Sequence, residues 1–184
     1  MSEPQAYDVV LLCEQALSEE DARQVTQLHE ELRAEGEQVA YHVLLPVEDA
    51  AARVEAAMGS LAAGEVMASP AMVMGDIDLA QVRRECLERS EKHLALTLQR
   101  LTEAGGTASG RVVHEHPIDA LVDAVKEFDG REAIILTRPH VVAEFFHVDW
   151  TSRARRKIGV PVLHLLEHET LEEQAGGGEG VTGV

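Results

Sequence analysis

Arg138 and His140 follow directly on an apolar run, Ala133 to Thr137, and further along Asp149-Trp150-Thr151-Ser152-Arg153 opens a short basic helix. A guanidinium and an imidazole beside a helix start suit an anion, because the first helical turn leaves N–H groups unpaired and carries a partial positive charge. The hydroxyls of Thr151 and Ser152 add donors. Thr137 ends one strand-like run, Glu14 follows another and Pro46 closes a third, so all three border the same place if the runs share a parallel sheet. The candidate ligand-binding set is thus Glu14, Pro46, Thr137, Arg138, His140, Thr151 and Ser152. A plainer reading of the same residues pairs Arg138 with Glu14 and lets Asp149 or Thr151 cap the helix.

Other reactive types have weaker patterns. Arg153, Arg155, Arg156 and Lys157 suit a helix C-terminus and pairing with acidic groups, whereas nucleic-acid binding needs a broader basic surface. Phe145, Phe146 and Trp150 fall within one short stretch and read as a core edge or an interface. His114 and His116 lie two apart at a strand end; as a metal pair they would need His140 and His147, which only the fold could bring to them, and His116 before Pro117 suits a helix start. His42, His93 and His164 read as packed, hydrogen-bonded side chains. Cys13 lies in an apolar run and reads as an inert thiol. The sequence has no nucleophile elbow, phosphate-loop lysine, dinucleotide glycine turn or zinc-protease helix, so no catalytic residue and no metal site is assigned and no enzyme is expected.

The elements that must hold these residues alternate between strand and helix. Tyr7 to Cys13 reads as strand 1. Ser18 to Asp21 resembles a capping box, and Ala22, Val25, Leu28 and Leu32 then give one helix that Gly36 stops. Val39 to Leu45 is strand 2. Asp78 to Ala104 is the longest helix, with Leu79, Val82, Cys86, Leu94, Leu98 and Leu101 as its apolar stripe. Ser109 to His114 is strand 3, and Pro117 opens a helix through Ile118, Leu121, Val122 and Val125. After the Asp129-Gly130 turn, Ala133 to Thr137 is strand 4, and Val160 to Leu165 is strand 5. Such alternation implies a doubly wound α/β fold with a mostly parallel sheet.

Composition bounds the remainder. At 184 residues and 45% hydrophobic, the chain suits one domain, expected over residues 1–168 with an irregular excursion at 47–77. Residues 169–184 are acidic and Gly-rich and are not expected to order. A net charge of -17 argues against nucleic acid and anionic membrane as partners. Two cysteines, no leader and no long apolar stretch lead us to expect a soluble cytoplasmic protein.

The run AIILTRP, the basic helix and the closing GVPVLHLLE resemble the last strand-helix-strand unit of the universal stress protein family, and element order is similar over roughly residues 7 to 168 outside the excursion. The closest resemblance is to a divergent actinobacterial-type branch. It implies a five-stranded sheet of order 3-2-1-4-5, a homodimer formed through the last strand at 160–165, and a role as a stress-response module. In some members it implies ATP binding, so ATP or another nucleotide is the cofactor it points to. The family's ATP motif needs an Asp after strand 1 and a glycine-rich loop after strand 4. Here Glu14 stands in for the Asp, and no glycine occurs between Gly130 and Gly159. Glycines let backbone N–H groups close around phosphate, so Arg138 and the last helix must supply the anion contacts instead. Three readings follow, in this order: a non-enzymatic module for a small anionic or nucleotide-like ligand at the strand 1/strand 4 switch point, a dimeric scaffold with a vestigial pocket, and, ranked last, an enzyme acting on a nucleotide or phosphoester with a metal at His114 and His116.

Overall fold

A computed structural model describes residues 6–48, 78–137 and 156–166. Five strands, β1 (Tyr7–Cys13), β2 (Val39–Pro46), β3 (Thr107–Val113), β4 (Glu132–Thr137) and β5 (Val162–Leu166), form one sheet of order β3-β2-β1-β4-β5. All four pairings are parallel. The helices are α1 (Glu19–Gln27), α2 (Glu30–Ala34), α3 (Leu79–Glu103) and α4 (Pro117–Glu127), and the described residues Arg156, Lys157 and Ile158 before β5 are helical as well.

Strand side chains alternate between two apolar layers, as a period of two requires. Val10, Leu12, Leu44, Ala133 and Ile135 pack beneath α4 with Ile118, Leu121, Val122 and Val125. Val9, Leu11, Cys13, Tyr41, Val43, Ile134 and Leu136 face the other way, against Ala22 and Val25 of α1 and Leu101 of α3. Burial on both faces explains why β1 and β4 read as unbroken hydrophobic runs.

Local chemistry sets most boundaries as expected. Ser18 caps α1 in a reciprocal box: its Oγ accepts from the Asp21 N–H at 3.0 Å, and the Asp21 carboxylate accepts from the Ser18 N–H at 3.1 Å. Asp78 caps α3 by accepting from the N–H groups of Ala80 and Gln81. His116 occupies the N-cap position of α4, with Pro117 behind it. Asp129, in the left-handed region at φ 51°, turns the chain from α4 into β4.

Four expectations are corrected. The single helix from Ser18 to Gly36 is two, broken at Leu28-His29. His29 lies on the stripe defined by Ala22 and Val25, and its ring is buried, whereas Leu28 is turned out and 36% exposed. The stripe of α3 also differs: Leu79 is 51% exposed, while the polar Ser90 and Thr97 are buried in line with Cys86 and Leu101. Their hydroxyls bond to loop backbone. Finally, β5 runs from Val162 to Leu166 instead of Val160 to Leu165, and β3 from Thr107 to Val113 instead of Ser109 to His114. Gly105, at φ 86°, and Gly106 close α3 so tightly that the strand starts at the next residue; the Gly106 N–H donates to Leu101 O at 2.8 Å.

Gly110 marks the closest approach of β3 to its cover. A Cβ there would lie 2.6 Å from Val43 O and 2.9 Å from a methyl of Leu94. Because the nearer obstacle is backbone, the strand itself would have to move. Gly110→Ala is expected to lower stability by roughly 1–3 kcal/mol, read as a lower urea midpoint with an unchanged m-value.

Candidate functional site

The chain steps from β1 to β2 on one side and reaches β4 on the other, so the ends of β1 and β4 form the switch point where open α/β sheets leave a crevice. Cys13 pairs with Leu136, and the Glu14 N–H donates to Leu136 O at 3.3 Å. Glu14 and Thr137 are therefore brought to adjacent strand ends, both half-buried. On the other side Leu12 pairs with Leu44, which puts Pro46 level with Glu14. Three of the seven expected site residues thus meet along one edge. Arg138, His140, Thr151 and Ser152 lie outside the described residues, as do Asp149, Trp150 and Arg153.

Helix α3 holds the loops of this edge. Buried Thr97 accepts from the Leu17 N–H at 3.1 Å, and Arg100 donates to Leu17 O. Ser90 accepts from the Glu48 N–H at 3.2 Å, and Arg89 pairs with the Glu48 carboxylate at 3.3 Å. A buried hydroxyl that satisfies a loop N–H both relieves a desolvated donor and fixes the backbone carrying it. The loop after β1, with Glu14 in it, and the exit of β2, with Pro46, are thereby positioned on one rigid helix.

Thr137 is tied to the edge strand. Its Oγ1 lies 2.8 Å from His164 Nε2, and burial lowers the pKa of His164 below 6.5. A carboxylate at Glu14 suits hydroxyl donors, such as those of a ribose, better than a phosphate, since an acceptor-only group repels anions. Anion contacts would have to come from the loop after Thr137.

Two further polar clusters sit toward the opposite, amino-terminal end of the sheet; sequence reasoning missed the first and read only His42 of the second, as a packed, hydrogen-bonded side chain. In one, the Nε2 of buried His29 is 2.7 Å from the Glu132 carboxylate and its Nδ1 is 2.9 Å from the Tyr41 hydroxyl. Tyr7 donates to the other Glu132 oxygen at 3.2 Å. Burial pushes the Tyr41 phenol up to about 12, so it remains a donor. This network fastens the α1–α2 break to the sheet. In the other, His42 bridges Asp8 and Ser109, at 2.7 Å and 3.2 Å, beneath the ring of Phe128. The signal for the first was His29 lying on a helical stripe; the second has no local signal beyond His42, because its members come from three strands.

Of the remaining candidates, Phe145, Phe146, His147 and Arg155 lie outside the described residues, as do residues 49–77 of the excursion and the tail at 169–184. Lys157 pairs with Asp119, whose carboxyl is held below its usual value by that hydrogen bond and charge. His114 is exposed, and no group of three metal-ligating side chains occurs among the described residues. Cys13 and Cys86 are buried and unbridged. No described helix is long and apolar enough to cross a membrane.

The architecture is shared with solved structures. That of hypothetical protein MJ0577 aligns over 90% of this chain and 99% of its own at a TM-score of 0.58 and 10% identity. The universal stress protein from Archaeoglobus fulgidus is similar over 86% and 93% (TM-score 0.49, 15% identity). One from Arabidopsis thaliana with AMP bound is similar over 88% and 92% (TM-score 0.48, 12% identity). No protein-family model matches the chain, and no curated protein matches it in sequence. The chain shares the fold of the MJ0577 structure: a five-stranded parallel sheet of order 3-2-1-4-5 with helices on both faces.

His164 gives this site a measurable pH signature. Its folded pKa lies below the unfolded value of 6.5, so between the two the unfolded chain binds more protons and stability falls as pH drops. Replacing it, as His164→Gln, is expected to flatten the decline in urea-unfolding free energy below pH 6.5, by comparison with the parent chain.

Proposed function

We propose that this protein is a universal stress protein-like, non-enzymatic module that binds a small anionic or nucleotide-like ligand at the β1/β4 switch point. The observation that carries this reading is the meeting of Glu14 and Thr137 at adjacent strand ends, on loops held by α3. Glu14 accepts from ligand hydroxyls. Arg138, His140 and the hydroxyls of Thr151 and Ser152 supply the anion contacts that glycines would otherwise provide. Two buried, unbridged cysteines suit a reducing cytoplasm. AMP, the nucleotide in the Arabidopsis structure, is the first ligand to test, with ATP and magnesium and cyclic AMP beside it.

Calorimetric titration is expected to show micromolar binding of at least one of these, accompanied by a change in the emission of the single tryptophan, Trp150. Arg138→Ala and Glu14→Ala are each expected to weaken binding about tenfold or more, the usual worth of a charge-assisted hydrogen bond. Absence of heat and of any Trp150 response with all three nucleotides overturns the nucleotide form of the reading.

A second reading, a dimeric scaffold with a vestigial pocket, is favoured by one observation. Strand β5 is an edge of the sheet, no described strand pairs with its outer side, and Leu163 on one of its faces is 38% exposed. An open apolar edge is a template for a second copy. Leu163→Lys is expected to shift sedimentation at micromolar concentration from dimer to monomer; a monomer in the parent chain removes this reading.

A further inference from the structure

Asp8, His42 and Ser109 come from three neighbouring strands and form one line of hydrogen bonds across β2. His42 is directly opposite Ser109 in register, and its ring reaches back to Asp8 on β1. The order of donors along this line follows from its chemistry. An ionised carboxylate only accepts, so Nε2 of His42 carries the proton toward Asp8. In the neutral imidazole Nδ1 is then a lone pair, and the Ser109 hydroxyl must donate to it. That is the arrangement in which an imidazole can take a serine proton.

Exposure points the same way. The side chains of His42 and Asp8 are only 13% and 19% exposed, whereas Ser109 is exposed at the edge of the sheet. Phe128 stacks on His42 with ring centroids 3.8 Å apart and planes 6° from parallel, which shields one face of the base from water. Arg111, two residues beyond Ser109 and so on the same face of β3, lies over Phe128 at 6.0 Å and pairs with Glu127 at 2.7 Å. Strand β3 has no described partner on its outer side, and an edge strand leaves N–H groups there that can receive a carbonyl oxygen.

We infer that Ser109 is a nucleophile that accepts an acyl group from an activated ester, with His42 as its base and Asp8 as the residue that positions His42. Ser109 Oγ attacks the ester carbonyl carbon as its proton passes to Nδ1 of His42. Collapse of the tetrahedral adduct breaks the bond to the leaving alkoxide or phenoxide, forms an acyl-serine ester, and lets the proton pass from His42 to the leaving group or solvent. No oxidant, metal or second substrate enters. The site lies toward the amino-terminal ends of the strands, so it acts independently of any ligand at the β1/β4 switch point.

The test uses p-nitrophenyl acetate on the full chain. The expected result is a burst of one equivalent of p-nitrophenolate and a single acetyl group, located on Ser109 by peptide mass spectrometry. Ser109→Ala abolishes the burst. His42→Ala slows it about 100-fold or more, the usual contribution of a positioned base, and added imidazole restores part of the rate. Asp8→Asn lowers the saturating acylation rate and leaves the half-saturating ester concentration unchanged, a split that a merely structural role does not produce. Far-ultraviolet circular dichroism checks that each variant is folded. Acetylation scattered over lysines without enrichment at Ser109, a burst that survives Ser109→Ala, or a rate indifferent to folded His42→Ala overturns the inference.

Discussion

The pairing of β1 along both of its edges is the constraint on which the rest of this molecule depends. Val9, Val10, Leu11 and Cys13 have no exposed surface, so every backbone N–H and C=O of that strand must find a partner in a neighbouring strand or pay the cost of desolvation. β2 and β4 supply those partners in parallel. Once their registers are set, Glu14 lies beside Thr137 at one end, and Asp8 comes within reach of His42 toward the other. Slipping either register by one residue would turn Val10 and Leu12 from the α4 layer into the α1 and α3 layer and scatter both groups of polar residues.

The two ends of the sheet are polar in different ways. At the carboxy-terminal end most of the polar side chains serve loops, as Thr97 and Arg100 hold Leu17 and Ser90 holds Glu48, while Thr137 and His164 bond each other. Toward the amino-terminal end they serve one another, as His29 with Glu132 and Tyr41, and His42 with Asp8 and Ser109. A fold of this kind spends its central strands on apolar burial, so its polar chemistry is displaced to strand ends and edges. That displacement is why both candidate sites lie outside the two packed layers.

How much of this was legible in the sequence depended on the range of the interactions. The capping box at Ser18, the Pro117 helix start and the span of β1 are local, and each was readable from a few adjacent residues. Glu14, Pro46 and Thr137 could be placed because parallel α/β sheets gather strand ends. The α1–α2 break was not legible, since Leu28 fits an apolar stripe as well as His29 does until the distant Glu132 accepts from the imidazole. The buried Ser90 and Thr97 escaped for the same reason, because a hydroxyl on a helical stripe reads as surface unless its loop partner is known. His42 was legible as a packed, hydrogen-bonded side chain but its partners were not, because they lie 34 and 67 positions away with no motif between them.

The bonds from Thr97 and Arg100 to Leu17 span 80 and 83 residues of chain. The loop carrying Glu14 is thus encoded near the start of the polypeptide but held by a helix made much later. Contacts of such sequence separation carry a large closure entropy and form late, so nascent β1 and α1 leave the ribosome with this loop still untethered. During synthesis the switch-point crevice takes shape only after α3 and then β4 have been made, and a chain arrested before Thr97 would lack both the tether on the Leu17 loop and the β4 wall of the crevice.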